Sequence, residues 1–183
     1  MNELLKAALE YRAKGLSVFP VRPRGKTPLV PWKDFQSRIA TEEEIIAWWT
    51  KHPTANIGIA TGKVSDVFVV DQDKYDPEYS EETSLLYFSD SQTVPTVLTP
   101  RLGIHLYFSD PDNPDITIGT RNIPGIDFRG TGGFVVVPPS IGENGKPYKW
   151  LNGLTFDRSM LVPPPEEYIK KISSGNGNAL HAS

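Results

Sequence analysis

Val67-Phe68-Val69-Val70-Asp71-Gln72-Asp73 is the stretch on which the fold of this chain turns. An unbroken apolar run of β-branched and aromatic side chains reads as a strand buried on both faces. It delivers two carboxylates two positions apart. In a strand such residues point to one face, with their Cα atoms roughly 6.5–7 Å apart. On a helix the same spacing would turn them away from each other. Asp71 and Asp73 therefore form a pair only if the strand assignment holds. An Asp-x-Asp is also common in exposed turns, so the pair alone says little.

Upstream, Leu4, Leu5, Ala8, Leu9 and Arg12 follow helical spacing behind an Asn2 cap, and Gly15 marks the stop. Residues 16–21 read as a short strand that runs into a basic loop punctuated by Pro and Gly, Arg22-Pro23-Arg24-Gly25-Lys26-Thr27-Pro28. A second helix opens at Thr41, with Glu44 three residues on as a capping box, and stops before Pro53. Its Trp48 and Trp49 read as packing residues rather than a base-stacking platform. Residues 56–62 form a strand ending in Thr61-Gly62.

Downstream, residues 76–92 are polar and acidic, with one short helix expected at 82–88. Residues 96–99 and 103–108 read as paired strands, and 125–129 and 134–137 as strands flanking the hairpin turn Gly130-Thr131-Gly132-Gly133. A short helix is expected at 166–172. The last residues, 173–183, have linker composition and read as a tether, which leaves 1–172 as the folded domain. Helices alternate with strands early and strands dominate later, so the expected class is α+β around a mixed sheet.

A chain of 183 residues can build one ordinary domain with a real core, but not two. Its hydrophobic fraction of 38%, with 4 Trp, 7 Tyr and 8 Phe, is unlike that of disordered chains. With 0 Cys there is no disulfide framework, no thiolate zinc site and no cysteine nucleophile. No apolar run nears the ~20 residues that span a bilayer. The start has no signal-peptide pattern, and the expected location is cytoplasmic. The net charge of −3 argues against a surface that is basic throughout. Residues 1–38 nevertheless hold 8 basic against 3 acidic residues, and 66–90 hold 8 acids against Lys74 alone. Such blocks could hold a polyanion beside a divalent metal; from charge alone, two solvated loops of opposite sign are the better reading.

Strand alternation puts His105 and Tyr107 on one face, with Ile104, Leu106 and Phe108 on the other. Asp127 and Arg129 likewise share a face opposite Ile126 and Phe128. Singly, His105 reads as a structural histidine and Asp127 with Arg129 as a weak surface ion pair. Together with Asp71 and Asp73, they make three strands, each with a polar face and an apolar back.

Five pieces in order resemble the primase–polymerase (Prim-Pol) domain of the archaeo-eukaryotic primase superfamily, the N-terminal type of phage, plasmid and mobile-element replication proteins. They are Gly15-Leu16-Ser17-Val18-Phe19-Pro20 with Gly25-Lys26-Thr27-Pro28-Leu29; Trp48-Trp49 with Pro53 and Asn56-Ile57-Gly58-Ile59-Ala60-Thr61-Gly62; Val69-Val70-Asp71-Gln72-Asp73; Gly103-Ile104-His105-Leu106-Tyr107-Phe108; and Gly125-Ile126-Asp127-Phe128-Arg129-Gly130 through Val137-Pro138-Pro139-Ser140. The likeness spans roughly residues 5–155. It implies an RRM-like catalytic sheet combined with an N-terminal α/β unit in one compact domain. It further implies a template-dependent nucleotidyltransferase, a DNA primase or polymerase using two Mg²⁺ or Mn²⁺ ions. Asp71, Asp73 and Asp127 fall on the family's metal-binding acids and His105 on its nucleotide-contacting histidine. Lys26, Arg101 and Arg129 fall where basic residues meet nucleotide or template phosphates. The implied partners are a DNA template and primer, nucleoside triphosphates, and a C-terminal helical or helicase-type ATPase domain in a longer parent. In one departure from the family pattern, the segment before His105, usually Ser/Gly-rich, reads Thr99-Pro100-Arg101-Leu102-Gly103. A metal-dependent nuclease or phosphoesterase, and a non-catalytic DNA-binding module, remain the alternatives.

Overall fold

The computed structural model describes residues 1–73, 93–112, 125–151, 153, 155–166 and 168–170. The helix expected at 82–88 and the 173–183 tether lie outside these residues. Helix α1 (Glu3–Ala13) begins where the Asn2 side chain accepts from Leu5 N, and Gly15 follows it in the left-handed region at φ +82°. Helix α2 (Glu42–Lys51) carries the full Thr41/Glu44 capping box. Trp49 is buried and donates Nε1–H to Ala55 O, while Trp48 packs edge-on against Phe35, so both tryptophans are structural. Residues 166 and 168–170 are helical. Among the described residues no helix is long and apolar enough to cross a membrane.

The strands are β1 (Ser17–Val21), β2 (Asn56–Ala60), β3 (Phe68–Gln72), β4 (Thr96–Leu98), β5 (Ile104–Phe108), β6 (Ile126–Arg129), β7 (Phe134–Val137) and β8 (Lys149–Trp150). They form two sheets, one of order β1-β2-β7 and one of order β6-β3-β5-β4-β8. Every pairing within them is antiparallel, in place of the mixed sheet expected from the early helix–strand alternation. The connection from β1 through α2 turns the chain back on itself, so β2 runs against β1. Pro20 is tolerated because β1 is an edge strand.

A second departure concerns residues 125–137. β6 and β7 flank a glycine-rich turn but do not form a hairpin: β6 pairs with β3 and β7 with β2. The end of β2 takes the turn's hydrogen bonds, with Thr61 N donating to Gly133 O and Thr61 Oγ1 to Gly130 O. Gly62 (φ +85°) lies so close that a Cβ on it would sit 2.2 Å from Thr131 N. The turn therefore hands the chain from one sheet to the other.

β3 is buried on both faces, and its faces belong to different cores. Val67 and Val69 join Tyr107, Val97, Ile57, Ile59 and the helices in a core between the sheets. Phe68 and Val70 join Leu106, Phe108, Ile126, Phe128 and Tyr168 in a core behind the larger sheet. The result is a mixed α/β fold with few helices among the described residues and two antiparallel sheets. Asp71 of β3, His105 of β5, and Asp127 and Arg129 of β6 lie on the face turned towards the smaller sheet.

Candidate active site

The register of the larger sheet builds the site. Asp71 stands opposite His105 on β5 and opposite Asp127 on β6. Asp127, Asp71 and His105 thus form one row across three adjacent strands. Their side chains share a face because directly opposed residues of antiparallel strands do so. Arg129 lies two residues beyond Asp127, on the same side. Asp73 falls just past the end of β3, where its N–H donates to Gly125 O at 2.8 Å and prolongs the pairing with β6.

This row forms the floor of a cavity of about 790 Å³. Asp71, Asp73, His105, Asp127, Arg129, Arg101 and Lys26 all line it, while Tyr107, on the same face as His105, is buried in the core. One wall is the basic loop, closed by Arg22 N donating to Thr27 O at 2.8 Å and Gly25 N to Arg22 O at 3.0 Å. The opposite walls are the 99–101 turn, the 142–144 loop and Tyr148. Asn56, buried at the start of β2, ties these walls together: Nδ2 donates to Ile141 O (2.8 Å) and Gly25 O (3.4 Å), and Oδ1 accepts from Ile141 N (3.0 Å).

The site's charges compensate one another. His105 Nε2 lies 3.4 Å from Asp71 Oδ1, and Arg129 Nη2 lies 3.4 Å from Asp127 Oδ2 and 3.9 Å from Asp71 Oδ2. Burial pushes the Asp71 carboxyl up, but the positive field of His105, its hydrogen bond, and the charges of Arg129 and Lys26 outweigh it. The net result lies below the ordinary carboxylate value. Asp71 is therefore anionic at neutral pH inside a partly dry cleft. Tyr148, whose ring centroid is 6.3 Å from that of His105, is pushed up to about 12, by burial first and by the Asp71 charge second.

The acids supply hard oxygen donors, the type suited to Mg²⁺ or Mn²⁺. Among the described residues no three His, Asp or Glu side chains are drawn together into a ready metal cluster. The Arg129 guanidinium lies beside Asp71 and Asp127 and neutralises them instead. The donor chemistry fits a divalent cation, in a side-chain arrangement held by an organic one.

Residues 8–167 match the family model described as bifunctional DNA primase/polymerase, N-terminal (Prim-Pol). The chain belongs to the Prim-Pol family. None of the curated proteins matches it. Membership gives this Prim-Pol domain a primase/polymerase-type nucleotidyltransferase function, with DNA and nucleotides as substrates.

Arg24 of the basic loop also lines the Prim-Pol cavity, as do Tyr148 and the Gly142-Glu143-Asn144 loop, which sequence reading missed. Residues 142–148 carry no periodic pattern. Their place beside His105 follows from the Asn56 bonds and from Tyr148 N donating to Ser140 O at 2.9 Å, which no local pattern announces.

Proposed function

We propose that this domain joins nucleoside triphosphates to a 3′-hydroxyl under direction of a DNA template, as a DNA primase or polymerase serving replication of a mobile element or phage. In this reading the β6-β3-β5-β4-β8 sheet is the RRM-like catalytic unit. Asp71, Asp73 and Asp127 would hold two divalent cations, Mg²⁺ or Mn²⁺. When bound, the cations supply Lewis-acid activation of the α-phosphate and of the attacking hydroxyl, and they offset charge on the departing pyrophosphate. His105, Arg129, Arg101 and Lys26 offer donors to the triphosphate and orient it, charge-assisted contacts being the strong ones. The depressed Asp71 pKa keeps that carboxylate anionic throughout the neutral range. A cleft walled by loops restricts water around the reacting groups.

The observation that supports this reading is the in-register row of Asp127, Asp71 and His105 on the floor of a basic-walled cavity. Primer extension with Mn²⁺ and each nucleotide set tests it. Asp71→Ala and Asp127→Ala should each lose incorporation by more than the about 10–100-fold that changes in outer-shell residues cost, with circular dichroism unchanged. Full activity in both would remove the assignment. Loss of labelled DNA without added triphosphates would instead mark a hydrolase.

A further inference from the structure

We propose that the shallow groove beside the cavity, between the 99–103 turn and the 142–146 loop, binds single-stranded nucleic acid. Lys146 there meets the phosphodiester backbone and Leu102 meets a base, with Arg101 on the boundary with the main cavity. The groove, about 210 Å³, is lined by Pro100, Arg101, Leu102, Asn144 and Lys146, with no acid among them; Glu143 of the same loop lines the main cavity instead. Pro100, Arg101 and Asn144 also line the main cavity, so the two spaces adjoin. The proposal rests on the primase/polymerase reading for the identity of the strand and extends it to a surface outside the acid row.

The groove is built. Asn144 Nδ2 donates to Pro100 O at 2.9 Å, and Asn144 Oδ1 accepts from Lys146 N at 3.0 Å. Gly142 lies against the proline ring, where a Cβ would come within 2.5 Å of Pro100 Cγ. The turn opposite is closed three times: Leu102 N to Thr99 O (2.9 Å), Thr99 N to Gly103 O (2.9 Å) and Gly103 N to Thr99 Oγ1 (3.0 Å). At its tip Leu102 adopts φ +66° and is 42% exposed. Glycine would take that backbone without strain. A leucine held there, apolar and facing solvent, is an outlier that asks for a contact. A basic side chain for the backbone beside an exposed apolar one for a base face is the pairing that single-strand sites use.

Fluorescence anisotropy of labelled oligothymidylate, with oligouridylate as a second arm to tell DNA from RNA, tests the proposal over a salt series. Triphosphate binding with Mn²⁺ is followed in parallel. Lys146→Ala should reduce the slope of log affinity against log salt by about 0.7. Leu102→Ser should weaken binding by about threefold or more with the slope unchanged. Both residues are exposed, so neither change threatens folding, and triphosphate binding should hold. The groove is refuted if the double variant matches the unchanged protein in oligomer affinity and slope, or if triphosphate binding falls in step with oligomer binding. An unchanged protein that binds neither oligomer nor triphosphate would overturn the proposed function itself, a different result from equal binding by all variants.

Discussion

Gly103 contributes a hydrogen where any other residue would place a carbon. A Cβ there would lie 2.5 Å from Gln72 O and 3.5 Å from the Asp73 Cα, so the turn before β5 sits directly on the end of β3. The obstructing atoms are backbone, which cannot rotate aside as a side chain would. Gly103→Ala should therefore displace the segment carrying Asp73. A shift of about an ångström in a reacting group costs up to about a hundredfold in rate, while overpacking of this kind costs about 1–3 kcal/mol in stability. Primer extension compared with urea unfolding checks the prediction. An activity loss no larger than the stability loss explains would mean that the end of β3 carries no reacting group.

At the scale of elements, α2 offers a pH-dependent test. Glu44 accepts from Thr41 N and pairs with Arg38 through both carboxylate oxygens, at 2.7 and 2.8 Å. The Arg38 hydrogen bond is the largest cause of a pKa drawn down from 4.5 to about 2. A folded-state pKa below the unfolded one stabilises fully above about pH 4.5, and that contribution fades as the pH falls towards 2. Glu44→Ala should cost about 0.5–1 kcal/mol at neutral pH, the lower part of the range for lost caps because the pair is partly solvated. The difference from the unchanged chain should shrink near pH 2, as read by urea denaturation; a difference independent of pH would assign the effect to packing. Elements such as α2 and β3 were legible because their signals are local: a cap three residues from its partner, and an apolar run ending in acids. The polar faces of β5 and β6 were legible by alternation. The partners of β6 and β7 were not, because a glycine-rich turn looks alike whether it closes a hairpin or changes sheets. The contacts of Thr61 and Gly62, some seventy positions away in sequence, decide between them. Tyr148 and the 142–144 loop were hidden for the same reason: loops carry no period, and long-range bonds from Asn56 to Ile141 set their place.

Across the whole molecule, Tyr11 links what the strands leave separate. From α1 its hydroxyl donates to Pro138 O at 2.7 Å, just past β7 of the smaller sheet, and accepts from Trp150 Nε1 at 3.1 Å on β8 of the larger one. Tyr11→Phe would leave both groups without that partner and should cost about 1–3 kcal/mol. Tyr107, in the same core, has no hydrogen-bond partner for its buried hydroxyl among the described residues. Tyr107→Phe should thus change stability by less than about 1 kcal/mol, and paired denaturant titrations of the two variants check the contrast. The two cores on either side of β3 also bear on refolding. Side chains alternate along β3, so a slip of a single residue against β5 or β6 would turn Asp71 into the apolar layer behind the sheet and bring Gln72 forward. A population mispaired in this way would keep its backbone ladders and give an ordinary circular dichroism spectrum. Recovered turnover would then count the correctly aligned molecules after renaturation, a fraction that secondary-structure content overstates.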